Sequence, residues 1–487
     1  MDKNIEKLVP QPLWKHFKEI CNIPHPSKHE EKVRDYIVDF AKKNNIDHNV
    51  DKIGNIILRK PAVKGFENRK ALILQAHVDM VPQKNSDKKF DFLKDSIPAY
   101  IDGDWVTADG TTLGADNGIG VAAILAIFEN TTLKHGTLEA LITIDEETGM
   151  TGAFGISNDE LKGDILLNLD SETEGEMYVG CAGGIDVEGQ IKYKEEETPK
   201  GYSPLKIDIT GLKGGHSGME IILQRGNSSK LLFRIINRLN EKFDIRISEA
   251  TGGNMRNAIP REANATIVVA EAQVKEAIEE AKTVIAEIAN ELKAVEPNIA
   301  ITIEPCRCKP KMVIDKKAQK VLIDSVEAVF NGIYRMSDSM IGLVETSSNM
   351  GIITKEKGFF SINFLVRSST DSSKDDLCER IASVFKLSGS KVKFSGGYHG
   401  WQPNMDSAIL KSVQTTYKKL FGKVPEIKGI HAGLECGVLV GPYPKWDMIS
   451  FGPTICYPHS PDEKVLIASV DKFFKLLEAV VQDAPKK

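Results

Sequence analysis

Three apolar runs in the first third of the chain predict buried strands, and a fourth run predicts a helix between two of them. Residues 71–80 have the sequence ALILQAHVDM, residues 140–147 ALITIDEE and residues 164–170 DILLNLD, while GIGVAAILAIFEN occupies residues 118–130. Continuous apolar strands that alternate with helices are typical of a sheet with helices on both faces. The chain is therefore expected to contain an α/β domain.

Each predicted strand ends in side chains that can bind a metal ion. The histidines and carboxylates at the strand ends and in neighbouring loops are His77, Asp79, Asp116, Glu146, Glu147, Asp170 and His459. Ligands of open α/β sheets bind outside the carboxyl ends of the strands, so these groups are expected to converge at one edge. Alternation along a strand predicts that Glu146 and Glu147 point to opposite faces, and that His77 and Asp79 share one face.

The charge of this cluster requires a compensating cation. Carboxylates that lie close together disfavour one another's ionisation, and Lys and Arg are scarce in the loops that carry them. A divalent metal ion is the natural counterion, and a combination of histidine and carboxylate suits zinc, cobalt or manganese.

Each of these positions also has an ordinary structural explanation. His77 alone would more often be a hydrogen-bonded residue at a strand end, and Asp116 alone would more often form a turn or an N-cap. Asp170 alone would more often cap the end of its strand. This explanation needs separate coincidences at successive strand ends, so a metal site is the better hypothesis for the whole set.

The composition excludes several other classes of protein. The 487 residues include 63 basic and 68 acidic side chains, and this net charge of -5 argues against a dedicated nucleic-acid-binding protein. No apolar stretch has the length of a membrane span or of a signal-peptide core. Seven cysteines suit a reducing compartment, and Cys306 and Cys308 lack a second pair at metal-binding spacing. We therefore expect a cytoplasmic protein that binds neither nucleic acid nor a membrane.

A change of pattern after residue 187 predicts a second domain. From residue 206 to residue 305 the predicted elements follow the order β-α-β-β-α-β, which is the ferredoxin-like arrangement. A second, looser version follows at residues 316–397. After residue 402 a helix–strand–helix pattern returns. We therefore predict a catalytic domain made of residues 1–187 and 403–487, with an inserted α+β lid at 188–402 that is enlarged by partial duplication.

Several short motifs resemble those of one enzyme family. They are HVDMVP at 77–82, GADNGIGVAA at 114–123, DEETGMTGA at 145–153, NLDSE at 168–172, GGHSG at 214–218 and YPHSPDE at 457–463. The chain resembles in these motifs, and in their order, the two-zinc exopeptidase family that includes carnosinases, aminoacylases and peptidase T. CAGG at 181–184 and GLECGVL at 433–439 are most similar to bacterial dipeptidases of that family. The resemblance implies a zinc-exopeptidase-like catalytic domain, in which helices sandwich a mixed sheet.

The resemblance also implies a role for each residue of the cluster. The metal ligands would be His77 and Asp170 for one ion, Glu147 and His459 for the other, and Asp116 for both. Asp79 would orient His77, as metal-bound imidazoles usually require, and Glu146 would be the general base. The family further implies a cis peptide bond between Asp116 and Asn117. The implied cofactors are two divalent ions per chain, zinc or else cobalt or manganese.

Four further residues are candidates for contact with the substrate. By resemblance, His216 would contact the reaction intermediate, often across a dimer interface, and Asn257 would contact the substrate; each is otherwise an ordinary turn residue. Arg367 is either a clamp for a substrate carboxylate or a surface residue of its strand. Glu435 would hold the free ammonium group of the substrate, and His399 is a hinge or pocket residue. We expect a homodimer formed through the lid.

The expected function is metal-dependent hydrolysis of unblocked dipeptides, including Xaa-His dipeptides such as carnosine. A tripeptidase and an N-acyl-amino-acid deacylase are alternatives within the family, and a non-catalytic relative that binds metal or peptide is a more distant one. A nucleotide-binding enzyme is a rival because LGADNGIGVAA at 113–123 looks like a glycine-rich phosphate loop. Its glycines lack the dinucleotide spacing, Asp116 would repel a phosphate, and there is no P-loop lysine.

Overall fold

The computed structural model describes residues 4–307 and 309–487, so Cys308 lies outside the described residues. The chain divides into two compact units. The first contains the residues up to Gly180 together with Trp401–Gly429 and Leu434–Lys487, and the second contains Cys181–Gly400 and Ile430–Gly433. The second unit begins ahead of residue 188 because the strand Gly183–Lys192 pairs along its length with two other strands of that unit.

The amino-terminal part of the chain alternates between helices and strands. Its helices are α1 (Gln11–Asn22), α2 (Glu31–Lys43), α3 (Ala115–Glu129), α4 (Glu146–Gly149) and α5 (Thr151–Gly155). Its strands are β1 (Asp47–Val50), β2 (Ile56–Lys60), β3 (Leu72–His77), β4 (Ala99–Asp102), β5 (Trp105–Ala108), β6 (Leu138–Thr143), β7 (Ile165–Asn168) and β8 (Glu176–Cys181).

The middle of the chain is richer in strands. Its strands are β9 (Gly183–Lys192), β10 (Glu195–Glu197), β11 (Tyr202–Thr210), β12 (Gly215–His216), β13 (Arg246–Gly252), β14 (Ala258–Ile259), β15 (Ala263–Ala270), β16 (Ala300–Pro305), β17 (Met312–Ile314), β18 (Gly332–Met336), β19 (Val344–Glu356), β20 (Phe359–Ser368) and β21 (Lys391–Tyr398). Its helices are α6 (Ser228–Lys242), α7 (Val274–Leu292), α8 (Lys316–Ala328) and α9 (Asp371–Leu387).

The carboxy-terminal part returns to short strands and helices. Its helices are α10 (Ala408–Phe421), α11 (Glu435–Val440) and α12 (Ile467–Gln482), and its strands are β22 (Glu426–Ile430), β23 (Asp447–Ser450), β24 (Ile455–Cys456) and β25 (Lys464–Leu466). No described helix is both long enough and apolar enough to cross a membrane.

The first unit is built on an eight-stranded mixed sheet with the order β1-β2-β6-β3-β7-β23-β8-β22. Its central strands β6, β3, β7 and β23 are parallel to their neighbours in this group, whereas β1 and β2 pair in antiparallel fashion. Every residue of β3, β6 and β7 is buried. The prediction of an α/β domain with a mixed sheet is therefore confirmed, and the parallel strands place their carboxyl ends at one edge.

Helix α3 lies close to this edge because two glycines allow it. Gly114 precedes the helix with a φ of 72°, which favours glycine. A Cβ atom on Gly120 would lie 1.9 Å from the side-chain oxygen of Asn117 and 2.9 Å from the carbonyl oxygen of Leu169. A glycine at position 120 therefore lets the first turn of α3 approach the loop that carries Asp170.

The structure corrects two details of the predicted strands. Strand β6 ends at Thr143, and Glu146 and Glu147 lie in the short helix α4 instead of at a strand end. The chain leaves the sheet direction at Asp145, whose φ of 52° is in the left-handed region. Strand β3 likewise ends at His77, so the position of Asp79 does not follow from strand alternation. The prediction that Glu146 and Glu147 point to opposite faces of a sheet is therefore wrong.

The second unit is built on an antiparallel sheet. The strand order is β16-β11-β15-β13-β19-β20-β9-β21, with β18 paired to β19. Helices α6, α7, α8 and α9 contribute apolar side chains to one core with this sheet, including Leu232, Ile288, Leu322 and Phe385.

Candidate metal centre

The carboxyl ends of β3 and β7 bring three of the predicted ligands together. His77 is the last residue of β3, and its side chain is fully buried. Its Nε2 atom lies 3.2 Å from Asp116 Oδ1 and 3.2 Å from Asp170 Oδ1. These three residues form one group whose candidate ligand atoms lie within 4.8 Å of one another.

A second group of three ligands shares Asp116 with the first. His459 Nε2 lies 3.0 Å from Glu147 Oε2 and 3.3 Å from Asp116 Oδ2. Asp116 therefore uses Oδ1 towards His77 and Oδ2 towards His459. The peptide bond between Asp116 and Asn117 is cis, as the resemblance implied. The arrangement provides two groups of ligands joined by one carboxylate.

Asp79 connects His77 to the helix that carries the two glutamates. Its backbone carbonyl oxygen lies 3.1 Å from His77 Nδ1, and its carboxylate oxygen Oδ1 lies 3.4 Å from the same atom. The carboxylate also accepts the backbone N–H groups of Glu146 at 3.0 Å and Glu147 at 3.2 Å. The Ser27 hydroxyl donates to it at 2.7 Å. The carboxylate of Asp79 thus accepts the N–H groups at the start of α4 that have no partner within the helix. Asp79 also holds the ring of His77 in place.

Asp145, to which the sequence assigned no role, stabilises the same turn. Its carboxylate accepts hydrogen bonds from the hydroxyl groups of Thr148 and Thr151. Its backbone N–H donates to Glu30 Oε1 at 3.1 Å. Contacts within the DEETGMT segment and the contact with Glu30 therefore stabilise the turn together with the hydrogen bonds that Asp79 accepts.

The carboxylates of the cluster strongly favour positive charge on the histidines beside them. Hydrogen bonds with Asp116 and Glu147 raise the pKa of His459 to about 11. Burial raises the pKa of Asp170 to about 6, and the charges of Asp116 and Glu147 add to this effect. Although burial alone would lower the pKa of His77, neighbouring carboxylates, first among them Asp170, raise it well above its usual range.

The residues present fit a bound cation. Among residues 4–307 and 309–487, no Lys or Arg forms an ion pair with Asp79, Asp116, Glu147 or Asp170. The buried atom Glu147 Oε1 accepts no hydrogen bond within the same residues. Imidazole nitrogens and carboxylate oxygens are the ligands that zinc and related divalent ions take in proteins. The chain therefore has a candidate metal site at this edge of the sheet.

Glu146 and Glu435 are carboxylates outside the two ligand groups that share Asp116, although Glu146 forms a further group with His77 and Glu147 whose ligand atoms lie within 4.8 Å of one another. Burial raises the pKa of Glu146 well above its usual range, and the charges of Asp170, Glu435 and Glu147 raise it further. Glu435 is fully buried at the start of α11 and accepts hydrogen bonds from Gln75 at 2.5 Å and Thr143 at 2.7 Å. Its other oxygen has no hydrogen-bond partner in the described part of the chain.

The predicted lid residues lie in the second unit, which has its own polar cluster. His216 pairs with Ala258 in the short sheet of β12 and β14, and Arg367 Nη2 lies 3.5 Å from His216 Nε2. Asn257 accepts a hydrogen bond from the N–H of Ser217 through its backbone oxygen. His399 is exposed, and its Nδ1 lies 2.5 Å from Asp371 Oδ2.

The sequence analysis missed two residues that contact the ligands. Asn117 donates a hydrogen bond to Asp170. Glu463 accepts the backbone N–H of Asp116 at 3.2 Å and those of the three residues before it. Both residues lie within motifs that carry a predicted metal ligand, GADNGIGVAA and YPHSPDE. Their closeness to that ligand in the chain is the sequence feature from which their contact with the site could have been predicted.

The fold and the cluster at its sheet edge are those of a peptidase family. The model of Peptidase family M20/M25/M40 matches residues 73–483, and this chain belongs to that family. Its sequence is 47% identical over 483 residues to the cytosol non-specific dipeptidase of Escherichia coli (strain K12), covering 99% of each chain.

Solved structures agree with this assignment. The aminoacylhistidine dipeptidase from Vibrio alginolyticus superposes with a TM-score of 0.94 at 46% identity, covering 99% of this chain and 98% of that one. The aminopeptidase PepT from Bacillus cereus ATCC 10987 has a TM-score of 0.57 at 15% identity, covering 98% of this chain and 99% of that one, and so shares the fold.

The stability of the metal-free protein is predicted to fall as the pH rises above neutrality. His459 has a pKa of about 11 in the folded chain against a usual value of 6.5. Its protonated form therefore stabilises the fold fully below about pH 6.5, and this contribution is lost as the pH rises towards the folded-state pKa. Thermal unfolding of the metal-free protein between about pH 6.5 and 9.5 measures the effect.

The variant His459→Gln provides the control for this measurement. It removes the titrating ring, so its unfolding temperature is expected to depend less steeply on pH than that of the unmodified chain. Equal slopes for the two proteins would contradict the assignment of the pH dependence to His459.

Proposed function

We propose that this chain is a metal-dependent dipeptidase that hydrolyses the peptide bond of unblocked dipeptides, Xaa-His dipeptides among them. The observation that carries the proposal is the shared carboxylate of Asp116, which joins two groups of metal ligands beside Glu146. The Escherichia coli and Vibrio alginolyticus relatives, a non-specific dipeptidase and an aminoacylhistidine dipeptidase by name, support this substrate class.

The cofactors are two divalent metal ions per chain, zinc in the first place, with cobalt and manganese as chemically suitable substitutes. One ion would be held by His77, Asp116 and Asp170, and the other by Asp116, Glu147 and His459. When bound, the ions supply Lewis acidity, which lowers the pKa of water and polarises the scissile carbonyl group.

Glu146 acts as general base and then as general acid. It takes a proton from the attacking water and delivers this proton to the leaving amine. Its burial and its carboxylate neighbours raise its pKa, which suits a group that must both accept and donate a proton near neutral pH. Asp79 fixes the ring of His77, and its hydrogen bond to the N–H of Glu146 holds the base in place.

His216 is suited to donate a hydrogen bond to the developing oxyanion. Its Nδ1 atom accepts the backbone N–H groups of Gly218 at 3.2 Å and Met219 at 3.0 Å. A neutral ring with an accepting Nδ1 carries its proton on Nε2. Burial and the charge of Arg367 lower the pKa of His216, which favours this neutral form. Arg367 Nη2, a donor 3.5 Å away, contacts Nε2 only while Nε2 carries no proton. When Arg367 binds a substrate carboxylate instead, the Nε2–H group would serve as a donor of the kind that stabilises tetrahedral intermediates.

Arg367 is suited to bind the carboxylate of a dipeptide. Its side chain is buried, and it contacts Tyr398 OH at 3.3 Å and Ser217 Oγ at 3.4 Å. Among the described residues no carboxylate lies within ion-pair distance of Arg367; Asp186 acts on it only through its charge and pairs instead with Arg256 at 2.9 Å. A buried guanidinium group without a carboxylate partner is strongly stabilised by one, and the pairing is often bidentate. This property favours a role for Arg367 as a clamp for the substrate carboxylate over a role as a surface residue of its strand.

Asn257 and Glu435 complete the proposed contacts with substrate. Asn257 is half-buried on the turn that precedes β14, where its side chain offers both a donor and an acceptor. Glu435 has one carboxylate oxygen without a hydrogen-bond partner within residues 4–307 and 309–487. This oxygen would accept a hydrogen bond from the free ammonium group of the substrate.

The inserted lid, proposed at 188–402, is an enlarged ferredoxin-like domain. Strands β16, β11, β15 and β13 lie in the order 4-1-3-2 of one β-α-β-β-α-β unit. Strands β21, β9, β20 and β19 repeat that order in a second β-α-β-β-α-β set. Along the chain, the whole of the first set lies between β9 and the other strands of the second set. This nesting of one set within the other supports the proposed duplication. The catalytic domain, predicted as residues 1–187 and 403–487, would then end ahead of β9, which begins at Gly183.

The proposed location is the cytosol, which the name of the Escherichia coli relative supports. We also infer that the chain forms a homodimer through the second unit. The apolar side chains of Met219, Ile222 and Leu223, which are close together in the chain, are exposed there, as is that of Met255, and large exposed apolar patches are typical of interaction surfaces.

Replacement of Glu146 by Gln is expected to abolish most turnover while both metal ions are retained. The amide cannot take the proton of the attacking water, so kcat should fall by about 10²–10⁴-fold, the usual contribution of a general base. Steady-state kinetics and metal analysis by mass spectrometry provide the two measurements. The exposed Glu31→Gln serves as the control. Full activity of Glu146→Gln would contradict the assigned base, and loss of metal together with activity would make Glu146 a ligand.

A comparison of three substrates tests the class of reaction. Alanyl-histidine should be cleaved, whereas N-acetyl-histidine lacks the ammonium group that Glu435 binds and alanyl-alanyl-histidine separates its ammonium group further from its carboxylate. We expect kcat/KM to be at least about 100-fold lower for these two, since an unpaired buried charge costs several kcal/mol. Faster cleavage of the tripeptide or of the acetylated amino acid would identify the corresponding alternative enzyme. No cleavage of any substrate by the metal-loaded chain would indicate a non-catalytic relative.

Sedimentation equilibrium is expected to give twice the mass of one chain. The variant Leu223→Lys places a charge among the exposed apolar residues and should shift the equilibrium towards the monomer, because desolvating an unpaired charge opposes association. A monomeric mass for the unmodified chain at all concentrations would contradict the proposed dimer.

A further inference from the structure

The side chain of Glu463 accepts hydrogen bonds from four successive backbone N–H groups. Oε2 accepts from Leu113 at 2.7 Å and Gly114 at 2.9 Å, and Oε1 accepts from Ala115 at 2.8 Å and Asp116 at 3.2 Å. Only 2% of the residue is exposed. Two oxygens thus receive two N–H groups each, and the last of these belongs to the residue that joins the two ligand groups.

The turn at residues 113–116 is shaped to receive an anion. Gly114 has a φ of 72°, and the φ and ψ angles of Asp116 and Asn117 are not helical, so this turn precedes the regular part of α3. Consecutive backbone N–H groups that converge in a turn form an anion-binding concavity. In this chain the bound anion is a side chain of the protein itself. Its hydrogen bonds fix the backbone that leads into Asp116.

Glu463 is also fixed to the loop of the second histidine ligand. It follows His459 by four residues, and its N–H donates to the carbonyl of Ser460 at 3.0 Å. Its own carbonyl accepts the Thr107 hydroxyl at 2.7 Å. The next residues form β25, which pairs with β5. The backbone of Glu463 is therefore held from both sides, independently of its side chain.

We propose that Glu463 is a positioning residue that sets the separation of Asp116 and His459 before a metal ion binds. His459 comes from a loop with two left-handed residues, Tyr457 and His459 itself, and its ring is half exposed. The pairing of β24 with β25 holds the two ends of this loop. The carboxylate of Glu463 ties this loop to the N–H of Asp116, so two of the three ligands of the second group, Asp116 and His459, are placed by one buried interaction. This inference rests on the metal centre of the proposed function.

The test is the metal affinity of Glu463→Gln, measured by competition with a chromophoric chelator. The amide keeps one accepting oxygen and turns an NH₂ group towards two backbone N–H donors, so half of the interactions are lost or become repulsive. We expect affinity for the metal pair to fall by about 10–100-fold, as is usual when a residue that orients a ligand is lost. The visible absorption spectrum of the cobalt-loaded variant should change, and kcat should fall at saturating metal with little change in KM.

Glu139→Gln is the matched control. Glu139 is 3% exposed and accepts backbone N–H groups from Lys162 at 2.8 Å and Gly163 at 2.6 Å. It lies at the amino end of β6, whereas the ligands lie at the carboxyl ends of the central strands. Glu139→Gln should lower the unfolding temperature, as Glu463→Gln should, but it should leave the metal affinity and the cobalt spectrum unchanged.

The outcomes separate the inference from the function on which it rests. If the unmodified chain binds no metal, the proposed function fails. If the unmodified chain and Glu463→Gln bind with equal affinity and have the same cobalt spectrum, only the positioning role is overturned, and equal losses in the two glutamine variants overturn it as well. Should Glu463→Gln not fold, Glu463→Asp against Glu139→Asp provides the same comparison, since aspartate keeps the charge but shortens the reach.

Discussion

Repulsion among carboxylates at one edge of the central sheet is the constraint on which the first unit depends. Burial and neighbouring carboxylates raise the pKa of Asp170 to about 6. The fold offsets this repulsion with backbone N–H groups: two converge on Asp79 and four on Glu463. Backbone donors are partial charges fixed in place, and among residues 4–307 and 309–487 no Lys or Arg forms an ion pair with Asp79 or Asp170. The same device therefore stabilises the fold and the candidate metal site together.

The sequence predicted the parts of the structure that depend on local pattern. Continuous apolar runs predicted the central strands, and the strand-end positions of His77 and Asp170 predicted their convergence. Local pattern did not predict α4, because its helical form depends on Asp79, which lies 67 residues away from Glu146 in the chain. The role of Glu463 was missed for the same reason: its partner Leu113 is 350 residues away. Long-range hydrogen bonds of this kind leave no periodic signal.

A row of buried polar side chains crosses the centre of the sheet. Gln75 of β3 donates to Thr143 of β6 at 3.3 Å and accepts from Asn168 of β7 at 2.5 Å. Ser450 of β23 donates to Asn168 at 2.5 Å, and Thr143 donates to Glu435 at 2.7 Å. Polar groups buried in an apolar sheet are costly unless they are hydrogen-bonded. Each of the four neighbouring strands contributes one member, so the row is satisfied only when all four strands are in register.

This register determines the geometry of the metal centre. Each ligand or turn residue follows a member of the row by two positions: His77 follows Gln75, Asp170 follows Asn168 and Asp145 follows Thr143. A slip of one residue between neighbouring strands would turn every side chain of the slipped strand to the opposite face. Such a slip would break the hydrogen bonds of the row and also carry a ligand away from Asp116. The buried row thus makes an incorrect alignment of the ligands costly in the apolar interior, before any ion is bound.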